Sequence, residues 1–326
     1  MKSNLTADIP ASVSKLVDNM RSIISIEPEK LEYIVAAMIA GGHVILADSH
    51  GVGKTSLAKA LAGCIDWGKR SSPLMEHFSR IQCTVDLLPQ DILGYNRLNS
   101  EKMVFNKGPI FSHFVLCDEI NLLTPKTQGS FFQAMEEQTV SIEGKTFKLE
   151  VPFFIISTMN LKGVHLFPLP APQLDRFMIQ ISLGYPDAET EIEIVKRHGR
   201  GDSWENYGPV VGAKDILAWK DAVDEVPIHD DIVSYIVNLV RSTRSHPDIA
   251  VPGSPRSGIK LSRMARALSL LRGEDFVSPE TVKEIFYPVM NHRIILHDTT
   301  LSIEKVLSNI LASVPVDQKH RRLNRR

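Results

Sequence analysis

Before residue 40, the chain has two segments in which apolar side chains recur every three or four positions, as on one face of a helix. The first segment contains Ile9, Val13, Leu16, Val17 and Met20, and the second contains Leu31, Ile34, Val35, Met38 and Ile39. This pattern predicts a helical lead-in over residues 1–28, followed directly by a second helix.

The next apolar segments are short and apolar throughout, without the alternation of a half-exposed strand. They cover residues 44–47, 78–83, 114–117, 153–157 and 177–181, and helical patterns separate most of them. Strands of this kind are typical of a parallel sheet that helices cover on both faces. We therefore predict an α/β fold, with a five-stranded parallel sheet flanked by helices over residues 29–205.

After Pro186 the pattern becomes helical, which predicts an all-helical domain over residues 206–314 and a basic tail over residues 315–326. Ser254-Pro255 and Ser278-Pro279 each offer a capping hydroxyl and a proline suited to the first helical turn. The apolar stripe of the first of these helices consists of Leu261, Met264, Leu268 and Leu271, and Gly273 can end that helix. Residues 199–203 and 207–209 are predicted loops. Residues 138–149 predict a β-hairpin with its turn near Glu143-Gly144.

The segment between the first strand and the next helix predicts a phosphate-binding loop. Its residues are Ser49, His50, Gly51, Val52, Gly53, Lys54, Thr55 and Ser56. Lys54 would lie at the positive end of the helix, where a cation is disfavoured unless an anion is bound there. The phosphates of ATP suit such a loop, and the Thr55 hydroxyl is placed to bind Mg²⁺. The alternative is a glycine-rich turn with a surface lysine, but strand, loop and helix follow the order that the motif requires.

Asp48 stands where the pattern G-x-x-x-x-G-K-[ST] has its first glycine. Aspartate tolerates a left-handed backbone better than most residues, so the turn can persist. A carboxylate near the triphosphate is expected to weaken nucleotide binding.

Two further strands deliver polar side chains to the edge where ligands of such sheets bind. Asp118 and Glu119 end the strand over residues 114–117, and Asn160 follows the strand over residues 153–157. With a phosphate loop upstream, Asp118 is expected to hold Mg²⁺ through its water shell, and Glu119 to deprotonate the attacking water. Asn160 is expected to hold that water and sense the γ-phosphate. The alternatives are a helix cap for Asp118 and an Asx turn for Asn160.

Two arginines are candidates for contacts with phosphate. Arg176 precedes the last strand of the sheet, where it is plausible as a finger that neutralises charge on the ATP of a neighbouring subunit. An ion pair with Asp175 or another acid of the same chain is the competing account. Arg256 lies in the first turn of a helix, against the helix dipole, which suggests a contact with the γ-phosphate. Its alternative is a simple salt bridge.

Composition restricts the remaining possibilities. Among 326 residues, 37 Lys and Arg balance 38 Asp and Glu, which gives no general reason to expect nucleic acid or an anionic membrane as a partner. Cys64, Cys83 and Cys117 are scattered along the sequence without metal-ligand spacing, and we expect them to be buried, reduced thiols. No apolar run approaches the length of a membrane span, and no signal core is present. A soluble cytoplasmic protein is therefore expected.

Over roughly residues 30–300 the chain resembles the MoxR family of AAA+ ATPases. Besides the motifs above, the resemblance rests on residues 86–94, 107–111, 125–128 and 133–137. It implies a P-loop AAA+ core with a C-terminal helical lid, and it makes the hairpin over residues 138–149 an insert before the first sensor. Residues 95–105 would form a second insert. The implied roles are Walker residues Lys54, Thr55, Asp118 and Glu119, first sensor Asn160, arginine finger Arg176 and second sensor Arg256.

Proteins of this family resemble one another in forming rings, usually hexamers, with nucleotide between subunits. They act as chaperone-like factors for partner complexes, often ones with von Willebrand factor A domains, and some support metal insertion. The resemblance therefore implies a ring-forming remodelling factor that hydrolyses Mg-ATP. Leu122 departs from the family, since many relatives have arginine there. Leu122 and Asp48 leave open a nucleotide-dependent scaffold with little turnover, and the hairpins and basic tail leave open a DNA-acting helicase relative.

Overall fold

The computed structural model describes residues 8–48, 51–68, 75–99, 102–160, 166–198, 204 and 207–316. In chain order, the strands are β1 (Val44–Ala47), β2 (Ile65–Asp66), β3 (Glu76–Gln82), β4 (Gly94–Asn99), β5 (Lys102–Lys107), β6 (Ser112–Asp118), β7 (Thr139–Ile142), β8 (Lys145–Lys148), β9 (Phe154–Met159), β10 (Ile179–Ile181), β11 (Val211–Gly212), β12 (Ile249–Val251) and β13 (Ile295–Leu296). The helices are α1 (Ile9–Ile23), α2 (Pro28–Ile39), α3 (Lys54–Gly63), α4 (Pro89–Leu93), α5 (Pro125–Glu137), α6 (Ala171–Leu174), α7 (Ala188–His198), α8 (Ala213–Val223), α9 (Asp230–Ser242), α10 (Pro255–Arg272), α11 (Pro279–Met290) and α12 (Ile303–Ser313).

The central sheet has five parallel strands in the order β10-β1-β9-β6-β3, as predicted. Compared with the predicted strands, β3 begins earlier, at Glu76, and β10 begins later, at Ile179. Because the strands are parallel, their carboxyl ends meet at one edge of the sheet. At that edge β1 ends at Ala47, β6 at Asp118 and β9 at Met159.

Both faces of the sheet are covered, which explains why its strands are apolar throughout. On β1, Val44 and Leu46 belong to one buried cluster, whereas Ile45 and Ala47 belong to a second. Successive side chains of a strand point to opposite faces, so the two clusters lie on opposite sides of the sheet. The first cluster continues into α1, α2 and the C-terminal helices.

Two β-hairpins extend from the core where hairpins were predicted. β4 pairs with β5, and β7 pairs with β8 across a turn in which Glu143 and Gly144 have φ angles of 47° and 80°. The hairpins contact each other, because the rings of Phe105 and Phe147 stack at 4.8 Å. In addition, the Asn96 side-chain amide donates to the Glu143 carboxylate at 2.7 Å.

The C-terminal region is helical, and its predicted apolar stripe is buried along α10. The predicted caps differ from each other. Ser278 accepts a hydrogen bond from the Thr281 N–H at 3.1 Å, as a capping hydroxyl should. Ser254 occupies the cap position of α10, but the expectation for its hydroxyl was wrong, because it donates to Asp175 at 3.3 Å. Gly273 ends α10 with a φ of 69°.

Two of the three cysteines, which are far apart in the sequence, are neighbours in space. Adjacent strands β3 and β6 bring the sulfur atoms of Cys83 and Cys117 to 3.2 Å. All three thiols are free and buried, as expected. Burial raises the pKa of the Cys117 thiol well above its usual value.

Within the predicted lead-in, the structure describes helix α1, which packs against α2 and α10. The predicted loop over residues 199–203 and the predicted boundary at residues 205 and 206 lie outside the described residues, as does the basic tail from residue 317 onward. Among the helices described, none combines the length and hydrophobicity needed to cross a membrane.

Candidate active site

The predicted phosphate loop joins β1 to α3. Gly51 and Gly53 adopt φ angles of 82° and 84°, a left-handed backbone that favours glycine. Gly53 occupies the cap position of α3 and has no side-chain acceptor, so the first N–H groups of α3 have no side-chain cap there. This is the arrangement that binds anions at a helix N-terminus. Ser49 and His50 lie outside the described residues; Val52 is half-buried and Ser56 is exposed.

Lys54 is the first residue of α3 and is buried, with 9% of its surface exposed. Its ammonium donates to the Asp48 backbone carbonyl at 2.9 Å. Burial lowers the pKa of Lys54, and the carboxylates of Asp48, Asp118 and Glu119 act in the opposite direction. A bound polyphosphate would add further negative charge and stabilise the ammonium form.

The Asp48 carboxylate is bound by the segment that follows β10. It accepts hydrogen bonds from the Leu183 N–H at 2.7 Å, from the Gly184 N–H at 3.3 Å and from the Ser182 hydroxyl. These contacts join the ends of β1 and β10. The expectation that this carboxylate disturbs the triphosphate is therefore not supported, since its oxygens are engaged with residues 182–184.

Asp118 lies at the end of β6, beside the start of α3. One carboxylate oxygen is 3.4 Å from the Thr55 hydroxyl, and the other accepts from the Thr158 hydroxyl at 2.8 Å. The side chain does not cap the following turn, so that alternative is wrong. An unpredicted cation also contacts Asp118, because Arg80 on β3 donates from Nη2 at 2.6 Å and from Nε at 3.2 Å.

Glu119 begins the 3₁₀ turn Ile120–Leu122, and its φ of 61° is uncommon for a residue with a side chain. The Thr158 hydroxyl stabilises this turn, because it accepts from the Glu119 N–H at 2.8 Å while donating to Asp118. Thr158 therefore connects the Asp118 carboxylate to the backbone of Glu119. The sequence analysis did not identify Thr158, although its place at the end of a buried strand is a usable signal.

Asn160 follows β9 and is buried, with 9% exposed. The Asn121 side chain bridges to its backbone, donating to the Asn160 carbonyl at 2.8 Å and accepting from its N–H at 3.4 Å. This reciprocal pair fixes the end of β9 against the turn after β6. Lys54, Thr55, Asp118, Glu119 and Asn160 therefore share one edge of the sheet.

Arg176 and Arg256 form a second cluster, in which Glu136 binds both. Arg176 pairs with one oxygen of the Glu136 carboxylate, and Arg256 donates to the other at 2.8 Å. Arg176 also lies over the Phe132 ring, 5.4 Å from its centroid. The salt bridges that we left open as alternatives are therefore present within the chain, and the acid for both is Glu136 of α5.

Asp175, the other acid considered for Arg176, pairs instead with Arg293 at 2.9 Å. The Arg293 side chain is 1% exposed, and burial lowers its pKa to about 10. Lys260 belongs to the same cluster, where burial, then Arg293 and Arg256, lower its pKa to about 8. Sequence reasoning had no signal for Arg293, because its acid, Asp175, lies 118 positions away in the chain.

Oxygen donors at the sheet edge suit Mg²⁺. Thr55 and Asp118 supply a hydroxyl and a carboxylate, which are ligands that a hard cation prefers. Within the described residues, no group of three or more His, Cys, Asp or Glu side chains forms a metal cage. Mg²⁺ usually keeps waters and nucleotide phosphates as its other ligands.

Comparisons with known proteins agree with this geometry. Residues 43–179 match the ATPase family associated with various cellular activities (AAA), and residues 241–309 match the AAA lid domain. The chain is 31% identical to Chaperone MoxR1 of Mycobacterium tuberculosis over 94% of its own length and 83% of that protein. It is 34% identical to YeaC of Bacillus subtilis, over 95% of its length and 96% of the relative.

A solved structure shows the same fold over nearly the whole chain. It is the crystal structure of a presumed ATPase from Cytophaga hutchinsonii, with a TM-score of 0.86 and 29% identity, covering 97% of this chain and 98% of the other. Strands β1, β3, β6 and β9 of the parallel sheet lie within the residues that match the AAA ATPase family, and β10 begins at the last of them. The C-terminal helices α10, α11 and α12 lie within or overlap the residues that match the AAA lid domain. The chain belongs to the MoxR family of AAA+ ATPases.

Proposed function

We propose that this chain binds Mg-ATP and hydrolyses it within a homo-oligomeric ring, and that it uses hydrolysis to remodel a partner protein complex. The observation that carries the proposal is the convergence of Lys54, Thr55, Asp118, Glu119 and Asn160 at one edge of the sheet. These side chains provide a cation for the phosphates, oxygen ligands for Mg²⁺, a general base and a polar amide. Water attack on a γ-phosphate requires this set.

In the proposed reaction, the N–H groups of α3 and the Lys54 ammonium bind the β- and γ-phosphates. Thr55 and Asp118 would hold Mg²⁺, which neutralises phosphate charge when it is bound. Glu119 accepts a proton from the attacking water, and Asn160 orients that water in line with the leaving group. Breaking the bond between the γ-phosphorus and its bridging oxygen leaves ADP and inorganic phosphate.

Arg176 is proposed to act on the nucleotide of a neighbouring subunit, and Arg256 to contact phosphate from the lid. Both now pair with Glu136, so they must exchange this carboxylate for phosphate oxygens. Such an exchange preserves their charge balance. It would connect phosphate binding to the position of α10, and hence to the lid.

By analogy with the relative named Chaperone MoxR1, the client is proposed to be a protein complex, with a von Willebrand factor A domain protein as one candidate. The ring is proposed to be a hexamer. The two hairpins, β4–β5 and β7–β8, are candidate client contacts, because Leu98 and Met103 on the first are 66% and 64% exposed. The proposed place of action is the cytoplasm.

A steady-state phosphate-release assay tests the hydrolysis proposal. The wild-type chain should release phosphate with Mg²⁺ and ATP, whereas Glu119→Gln should bind ATP and release almost none. Lys54→Ala should lose nucleotide binding in calorimetry. Wild-type release no greater than that of Glu119→Gln would contradict hydrolysis.

A scaffold with little turnover is the second candidate, and one observation favours it. Arg80 occupies Asp118, where Mg²⁺ is proposed to bind. The same assay separates the two candidates, because a scaffold would bind ATP without releasing phosphate.

A pull-down with the ATP-loaded Glu119→Gln chain would identify the client protein, whether the chain is a motor or a scaffold.

A further inference from the structure

A groove of about 620 Å³ lies on the helical lid between α9 and the first turns of α10. Its floor includes Ile236 and Val240, which are each 2% exposed. Gly258 helps to keep the floor open, since its missing side chain would contact both. The walls expose three apolar side chains, namely Val233 at 41%, Val237 at 46% and Ile259 at 67%.

The rim of this groove is strongly basic. It carries Arg241, Arg244, Arg263 and Arg266 against one acid, Asp224. Arg263 and Arg266 contact Asp224, and Arg244 donates to a backbone carbonyl. Arg241 is exposed and has no ion pair within the described part of the chain. Because four cations face one carboxylate, the groove suits an occupant that is both apolar and acidic.

The first two turns of helix α7 of the same sequence have this character, whereas Lys196 and Arg197 follow in its last turn. Its 11 residues give a length of about 16 Å at 1.5 Å per residue. Glu189 and Glu191 lie in its first turn, and Ile192 and Val195 are 53% and 75% exposed. The spacing of Ile192 and Val195 places them on one face of the helix, with Glu191 beside them. Just before the helix, Tyr185 is 70% exposed.

We propose that α7 of one copy docks in the α9–α10 groove of a second copy. Ile192 and Val195 cover Val237 and Ile259, while the α7 carboxylates approach the arginine rim. The proposal rests on the ring proposed above and identifies one contact that builds it. Because the helix and the groove are different surfaces, each copy offers both. Such a heterologous contact can repeat until a ring closes.

A cross-linking experiment tests the pairing directly in the full-length chain. Two single variants, Val195→Cys and Ile259→Cys, are mixed with Mg-ATP and oxidised. The native cysteines are all buried, so the new thiols are the accessible ones among those described. A disulfide-linked dimer containing one chain of each variant is expected. The control pairs Val195→Cys with Leu301→Cys, a residue that is 41% exposed elsewhere on the lid, and should give little product.

Charge reversal supplies an independent test. Arg241→Glu and Glu191→Arg should each weaken assembly several-fold in analytical ultracentrifugation, and mixing the two variants should restore much of it. Ile259→Asp should weaken assembly roughly tenfold or more, because it removes an apolar contact. Lys283→Glu and Leu301→Asp are matched surface controls. A cooperative urea unfolding transition with the wild-type midpoint shows that each variant is folded.

Three outcomes would overturn the inference. The first outcome is assembly at wild-type affinity by all three variants, Arg241→Glu, Glu191→Arg and Ile259→Asp. It would show that the groove binds another partner, while the proposed ring would stand. A disulfide within a single Val195→Cys/Ile259→Cys chain at nanomolar concentration would show that the helix docks in its own lid. A wild-type chain that stays monomeric with Mg-ATP would contradict the ring itself, and phosphate release would then be judged separately.

Discussion

At the residue scale, the site is defined by which partner each charged group has. Asp118 lies between the Thr55 hydroxyl and the Arg80 guanidinium, so a metal ion must share or displace Arg80. Asp48, unlike Asp118, has a carboxylate that is bound away from the proposed metal site. Its unusual carboxylate is directed to residues 182–184 and serves the joint between β1 and β10.

Replacing Arg80 tests the competition for Asp118. Arg80→Gln removes the cation, so the Mg²⁺ concentration that gives half-maximal phosphate release should fall several-fold. Arg97→Gln, an exposed arginine of β4, is the control. An unchanged or higher Mg²⁺ requirement would show that Arg80 supports Asp118 instead of competing for it.

Lys260 gives a prediction about pH. Burial lowers the pKa of Lys260 from its ordinary value of 10.5, which applies in the unfolded chain, to about 8 in the folded chain. Between these two pH values the unfolded chain therefore binds more protons than the folded chain. The contribution of Lys260 to the free energy of unfolding should therefore rise with pH from about 8 to 10.5 and be constant outside this window. In urea unfolding, the wild type should gain stability over Lys260→Met between pH 8 and pH 10. A constant difference between the two chains would contradict this.

At the scale of elements, the hairpins show how local turn chemistry fixes a larger unit. The β7–β8 turn requires positive φ angles at Glu143 and Gly144. Gly144 adopts such an angle without strain, whereas Glu143, which has a side chain, is strained. The Glu143 side chain then accepts from Asn96, which links this turn to β4. A local turn thereby positions two hairpins relative to each other.

Gly144→Val should destabilise the β7–β8 hairpin by about 1–2 kcal/mol, because a β-branched residue is strained at a φ of 80°. Lys145→Val, at the first position of β8, should change stability much less. Urea unfolding measures both variants. Equal free energies of unfolding would show that the turn changes its type without cost.

At the scale of the whole molecule, buried Arg293 connects the core to the lid. It follows α11, yet it pairs with Asp175 and donates to the Phe177 and Met178 carbonyls before β10. A buried guanidinium is costly without its acid, so this contact joins the two regions more firmly than a surface pair would.

Asp175→Asn should therefore cost roughly 3 kcal/mol, because it leaves a buried cation without its counter-charge. Asp224→Asn breaks the pair with Arg263, whose acid is 65% exposed, and should cost less than about 1 kcal/mol. Denaturant unfolding of both variants makes the comparison. Similar losses would mean that Arg293 is satisfied by the carbonyl groups alone.

The sequence by itself determined the five strands of the sheet, two N-terminal helices and the candidate catalytic edge. Apolar periodicity located α1, α2 and the five strands, because burial on one or both faces imposes a local repeat. The phosphate loop and the acids after β6 were likewise readable, since each motif is contiguous in the chain.

Only the tertiary structure decided the partners of the charged side chains. The ion pairs of the site each join residues that lie 38 or more positions apart in the chain. They are the pairs of Arg80 with Asp118, of Glu136 with Arg176 and Arg256, and of Asp175 with Arg293. Residue type and spacing do not encode such contacts, because they depend on how strands and helices pack. The same holds for the lid groove, whose apolar walls are indistinguishable in sequence from a buried stripe.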